Sequence, residues 1–99
     1  MLNSILSMFN KKPYKDFFCR DFFYRKFNED VQPSALVWHR DSCNRVVKVY
    51  AGRGWKIQFD DELPRELTIN EEVIIPKYRY HRLIKGEGEL LLKIHCDGE

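Results

Sequence analysis

The sequence predicts an all-β domain: a small β-barrel or two-sheet sandwich behind a short helical N-terminus. Three observations carry this expectation. Short stretches rich in β-branched and aromatic residues recur from Phe22 to His95. Turn-forming residues break them at Asp41–Asn44, Gly52–Gly54, Asp60–Pro64 and Gly86–Gly88. No long helical pattern separates them, which is the signature of a sandwich or barrel. The chain of 99 residues is read as one domain, with 1–20 helical and 22–95 forming the barrel.

In Met1–Lys12, Leu2, Ile5, Leu6 and Phe9 fall at helical spacing, with Lys11 and Lys12 at the end and Pro13 beyond. This predicts a short helix closing one end of the barrel, or an oligomer contact. Its basic residues follow the apolar stretch rather than precede it, so it does not read as a signal peptide. A helical turn is expected near Pro13–Arg20, then a strand over Phe22–Phe27. The crowd of aromatics there (Tyr14, Phe17, Phe18, Phe22, Phe23, Tyr24, Phe27) is expected to pack as core in preference to stacking on nucleic acid.

Asn28–Pro33 is a polar loop. Strands are then predicted at Ala35–Arg40, Arg45–Tyr50, Trp55–Phe59, Val73–Ile75, Tyr80–Ile84 and Leu90–His95. Gly52-x-Gly54 lies between two strands and reads as a hairpin turn, since a dinucleotide loop needs a third glycine and a following helix. Asp60, Asp61 and Glu62 read as a solvated loop. His95 and Cys96 read as the end of a terminal strand.

Composition excludes several classes. A formal net charge of +2, with both signs mixed along the chain, is not the clustered basic stripe of a nucleic-acid binder. No apolar run reaches the roughly 20 residues of a membrane span. Three cysteines without close pairing predict reduced thiols and a cytoplasmic protein, and nothing in the sequence activates Cys43 as a nucleophile.

The chemistry lies in two stretches. In Val37–Asp41, strand alternation turns His39 and Asp41 to one face and Arg40 to the other. In Ile74–Leu83, a strand and a proline turn lead to a second strand that carries His81. Tertiary pairing of the two stretches would join two imidazoles and a carboxylate, leaving coordination positions open as in non-haem iron(II) sites. The same parity turns Arg45, Val47, Val49, Arg79 and Leu83 inward, giving a polar mouth above an apolar floor.

From Pro33 the spacing is five residues to His39, one to Asp41, three to Arg45 and six to Gly52. From Asn70 it is five to Pro76, one to Tyr78, two to His81 and three to Lys85. This pair of spacings resembles the two motifs of the cupins. His39, Gly52, Pro76 and His81 keep the motif residues. Asp41 stands where a second histidine is usual, and Arg45 where a glutamate ligand is usual. Pro33, Asn70 and Tyr78 take glycine positions, and Lys85 takes an asparagine position.

The resemblance implies a cupin-like β-barrel, a double-stranded β-helix or jelly roll. It implies a divalent metal (iron, manganese or zinc) held by His39, Asp41 and His81, and a small anionic molecule held by Arg45 or Arg79. Oxygenase-type chemistry is its first suggestion, and a homodimer its expected assembly. The alternative is a non-catalytic barrel that binds a small molecule or protein, its metal site degenerate, because Arg45 cannot be a ligand.

Overall fold

The computed structural model describes residues 12–97. Among the described residues, eight strands run in chain order: β1 (Lys15–Phe18), β2 (Phe23–Phe27), β3 (Arg45–Arg53), β4 (Lys56–Phe59), β5 (Arg65–Glu66), β6 (Glu72–Ile75), β7 (His81–Ile84) and β8 (Glu87–Cys96). They form two antiparallel sheets, one in the order β1-β2-β8-β3-β6 and the other β5-β4-β7. The two-sheet, all-β architecture expected from the strand rhythm is present.

The apolar faces meet between the sheets. Alternation on β3 and β8 buries Val47, Val49, Leu90, Leu92 and Ile94, while β6 adds Val73 and Ile75. The smaller sheet contributes Ile57 and Phe59, and Trp55 is fully enclosed between them. Gly86 is fixed by close approach: a Cβ there would fall 2.3 Å from both the Arg53 carbonyl oxygen and the Trp55 nitrogen.

Three local expectations are corrected. The helical turn near Pro13–Arg20 is strand β1, paired with β2 so that Asp16 lies opposite Arg25. The Arg25 guanidinium donates to both Asp16 carboxylate oxygens at 2.8 and 2.9 Å, and this half-buried bidentate pair outweighs a weak local preference. The expected helix over Met1–Lys12 lies, Lys12 aside, outside the described residues.

The predicted strand Ala35–Arg40 is the second correction. Pro33 has no N–H for a ladder and opens a 3₁₀ turn over Pro33–Ala35 instead. Beyond it the backbone pairs with β7 at an isolated bridge, His39 to His81, and forms no ladder there.

The cysteine reading is the third. Cys43 and Cys96 form a disulfide, with Cα atoms 5.8 Å apart, and Cys19 is free and exposed. The start of β3 pairs with the end of β8, Arg45 opposite Cys96, which delivers the two sulfurs to each other across 53 positions. The argument from reduced thiols to a cytoplasmic location therefore loses its basis. No helix among the described residues is long and apolar enough to cross a membrane.

Candidate metal centre

Two backbone hydrogen bonds build the site. The His39 N–H donates to the His81 carbonyl at 3.0 Å, and the His81 N–H donates to the His39 carbonyl at 2.9 Å. This reciprocal pair sets the two imidazoles side by side, centroids 4.3 Å apart and planes at 61°. The next turn is tied down as well, since the Tyr78 N–H donates to the Asp41 carbonyl at 2.7 Å. Tyr78 meets that carbonyl in the left-handed region, with φ of 66°, and Asn70 is left-handed too, with φ of 74°. Both occupy positions that the cupin spacing gives to glycine.

The rings are oriented by main-chain carbonyls. Nδ1 of His81 lies 2.8 Å from the Arg79 oxygen, and Nδ1 of His39 lies 3.1 Å from the Val37 oxygen. Only an N–H can donate there, so these bonds assign the proton to Nδ1 in both rings and leave each Nε2 a lone pair. The Nε2 of His81 faces Asp41 Oδ2 at 3.4 Å. That oxygen is buried and has no hydrogen-bond partner. Burial pushes the His81 pKa below its ordinary value; the Arg79 carbonyl and Asp41 oppose that shift, His39 and Arg45 add to it, and burial decides the direction. His81 is itself 3% exposed.

The donor atoms of His39, Asp41 and His81 thus lie within 4.8 Å of one another. Three lone-pair donors, one an orphaned carboxylate oxygen, fit a divalent cation, which would satisfy all of them together. Three protein ligands would leave coordination positions free for an exogenous molecule. Arg45, at the start of β3, places Nη1 3.4 Å from Asp41 Oδ1, its guanidinium 5.8 Å from the Phe23 ring centroid. Its Nε is buried without a partner. Burial pulls the Arg45 pKa down, with Asp41 opposing it.

These groups stand at one end of a cavity of about 360 Å³ between the sheets, whose floor includes Val47, Val73, Ile75 and Ile94. Strand parity placed Arg45, Val47 and Leu83 toward this space, and all three line it. Val49 shares their face and is buried deeper in the core.

Arg79 does not join them. Its guanidinium donates to Asp61 and Glu62 at 2.8 and 3.0 Å and lies over the Phe59 ring, outside the cavity lining. The acidic loop read as merely solvated is what draws it away, and only its carbonyl serves the site. Among the cavity residues that escaped the sequence reading are Tyr14 and Arg25. The signal for Arg25 was present, since it alternates with Phe23 and Phe27 on β2.

No protein-family model matches the chain, and no curated protein does. Solved structures do. A cupin-2 domain protein from Shewanella frigidimarina superposes with a TM-score of 0.61 at 23% identity, over 98% of this chain and 93% of the other. A cupin domain from Bordetella pertussis gives 0.58 at 15% identity, over 86% and 92%. This chain has a cupin fold. An iron(II) form of HppE gives 0.61 at 16% identity, over 85% of this chain and 48% of that one. At these identities the likeness concerns the cupin fold alone, and the site rests on its own geometry.

Proposed function

We propose that this cupin-fold chain binds one divalent metal ion through His39 Nε2, Asp41 Oδ2 and His81 Nε2, and that Arg45 anchors an anionic small molecule beside it. The observation that carries the reading is the orphaned Asp41 Oδ2 facing two imidazoles whose protons are held on the far nitrogens. Two histidines and one carboxylate with open positions favour iron(II), with manganese or zinc as the other candidates. Bound there, the metal would supply Lewis acidity and, for iron, oxygenase-type redox chemistry to a ligand in the open positions. The residues' own contribution is to turn both Nε2 atoms toward the site, with Nδ1 of each ring tied to a main-chain carbonyl, and to fix a guanidinium four positions from the carboxylate.

The Arg45–Asp41 ion pair favours a second reading, a barrel that binds its ligand without metal. Calorimetric titration of manganese(II), zinc(II) and anaerobic iron(II) separates the two. Metal should bind the wild type at one site per chain and bind Asp41→Ala at least about 100-fold more weakly, since a ligand counts for no less than its supporting shell. Arg45→Ala should keep the metal. Equal binding to wild type and Asp41→Ala, or none to either, sinks the metal reading. A loss of about 3 kcal/mol of stability in Arg45→Ala would instead mark the ion pair as structural.

A further inference from the structure

The cavity behind the metal centre is far larger than a metal and its water ligands require. It holds about 360 Å³, and its walls beyond the polar end are aliphatic, with Val47, Val73, Leu83, Leu92 and Ile94 among them. For scale, a dry cavity of about 150 Å³ accommodates one benzene ring. The charge is concentrated at one end. Lys12, Arg25 and Arg45 line the space against the single carboxylate of Asp41, and Arg25 is already in a bidentate pair with Asp16. Arg45 is half-buried, with an enclosed Nε that has no partner and only a 3.4 Å contact to Asp41. A half-engaged, half-buried guanidinium next to an apolar chamber is complementary to a molecule with one anionic head and a hydrocarbon body.

We infer that the site takes a monocarboxylic acid with a wholly apolar body of roughly eight to twelve carbons, its carboxylate paired with Arg45 and its tail between the sheets, a size scaled from the benzene-filled cavity. Arg45 is placed for this because it opens β3, so the next inward residue on the same strand, Val47, is already floor. The inference builds on the metal-centre reading for the polar end of the site, but its anchor is Arg45, so the acid is retained when metal is removed.

The test is a calorimetric series of straight-chain alkanoates from four to fourteen carbons, run on the full chain with manganese(II) and again with a chelator. Affinity should rise about fourfold per methylene, the transfer value for a buried CH₂, then level off or fall once the chamber is full. The primary alcohol of the best acid should bind at least tenfold more weakly. Arg45→Gln should erase that difference between acid and alcohol. Because a variant at Arg45 can disturb Asp41, Ala35→Leu provides a second arm. Ala35 lines the chamber at its half-buried rim, and the added carbons should move the optimum to an acid two or three carbons shorter. Affinity independent of chain length, or acid and alcohol binding alike in the wild type, overturns the inference even if metal binds. Acid binding with the predicted length dependence but no metal uptake leaves it standing and removes the metal reading alone.

Discussion

His81 is the residue on which the site's pH response turns. Its pKa is lowered in the fold, chiefly by burial, so the folded chain holds fewer protons on this ring than the unfolded chain. Stability from this group is therefore complete above the ordinary histidine value of 6.5 and is lost as pH falls below it toward the folded value. Metal-free protein should melt progressively lower from pH 7 to pH 5, and His81→Asn should flatten that slope. A wild-type slope unchanged by the substitution would contradict the assignment. The histidines and Asp41 were legible in the sequence because strand parity and motif spacing act on side chains. Arg79 was misplaced by the same parity because its partners, Asp61 and Glu62, come from a loop no periodicity describes. Nor could any residue type announce the Val37 and Arg79 carbonyls that orient the rings.

At the scale of elements, most strands were readable because alternation between a buried and an open face writes itself into apolar periodicity. Where that alternation is absent, reading fails. β1 is largely exposed, Phe18 at 77%, and is held by one ion pair and by pairing with β2, so its sequence carries no inward face. The two-residue β5 is too short to show a period. The motif positions at Asn70 and Tyr78 show a further limit. Glycine is missing from the sequence while the left-handed backbone persists; Asn70 tolerates it, but at Tyr78 the chain keeps the turn under a residue that disfavours it by about 1–2 kcal/mol. Gly86 is the opposite case, a glycine required by contact with neighbouring backbone and not by its own φ. Gly86→Ala should cost about 3 kcal/mol, read as a fall in the urea midpoint, because neither backbone atom in its way can rotate aside. A midpoint within error of wild type would show that the β3–β4 corner yields more than its packing suggests.

For the whole molecule, the Cys43–Cys96 disulfide joins the loop after Asp41 to the last strand. Cysteine counting predicted reduced thiols instead, because the pairing depends on two strand ends meeting, a property of topology and not of spacing. Cys43→Ser should lower stability by about 2–4 kcal/mol, the usual range for closing a loop of this length, and thiol reductant should lower the wild-type melting temperature to match. If reductant leaves the wild type unmoved, the bond does not form in solution. The same loop is also held by the Asp97 N–H on the Asn44 carbonyl and by the Lys77 N–H on Asn44 Oδ1. Asp41 is therefore held in place independently of the His39–His81 bridge.

His39 is the least firmly held, which gives its reciprocal hydrogen-bond pair with His81 a kinetic meaning. On the stretch between the 3₁₀ turn and Asp41, those two bonds are the isolated bridge to β7, and Val37 and Trp38 stand open to solvent beside it. Lifting that stretch splits the donor set, so a bound cation must hold the pair shut. The amides of His39 and His81 then form a built-in reporter, since both exchange with solvent only when the pair opens. At a metal concentration of about 100 times Kd, their deuterium uptake should slow together by about 100-fold, while that of Val47 and Ile94 in the central ladder stays as it was. Slowing at one histidine without the other would mean that the cation is not gripped across the pair.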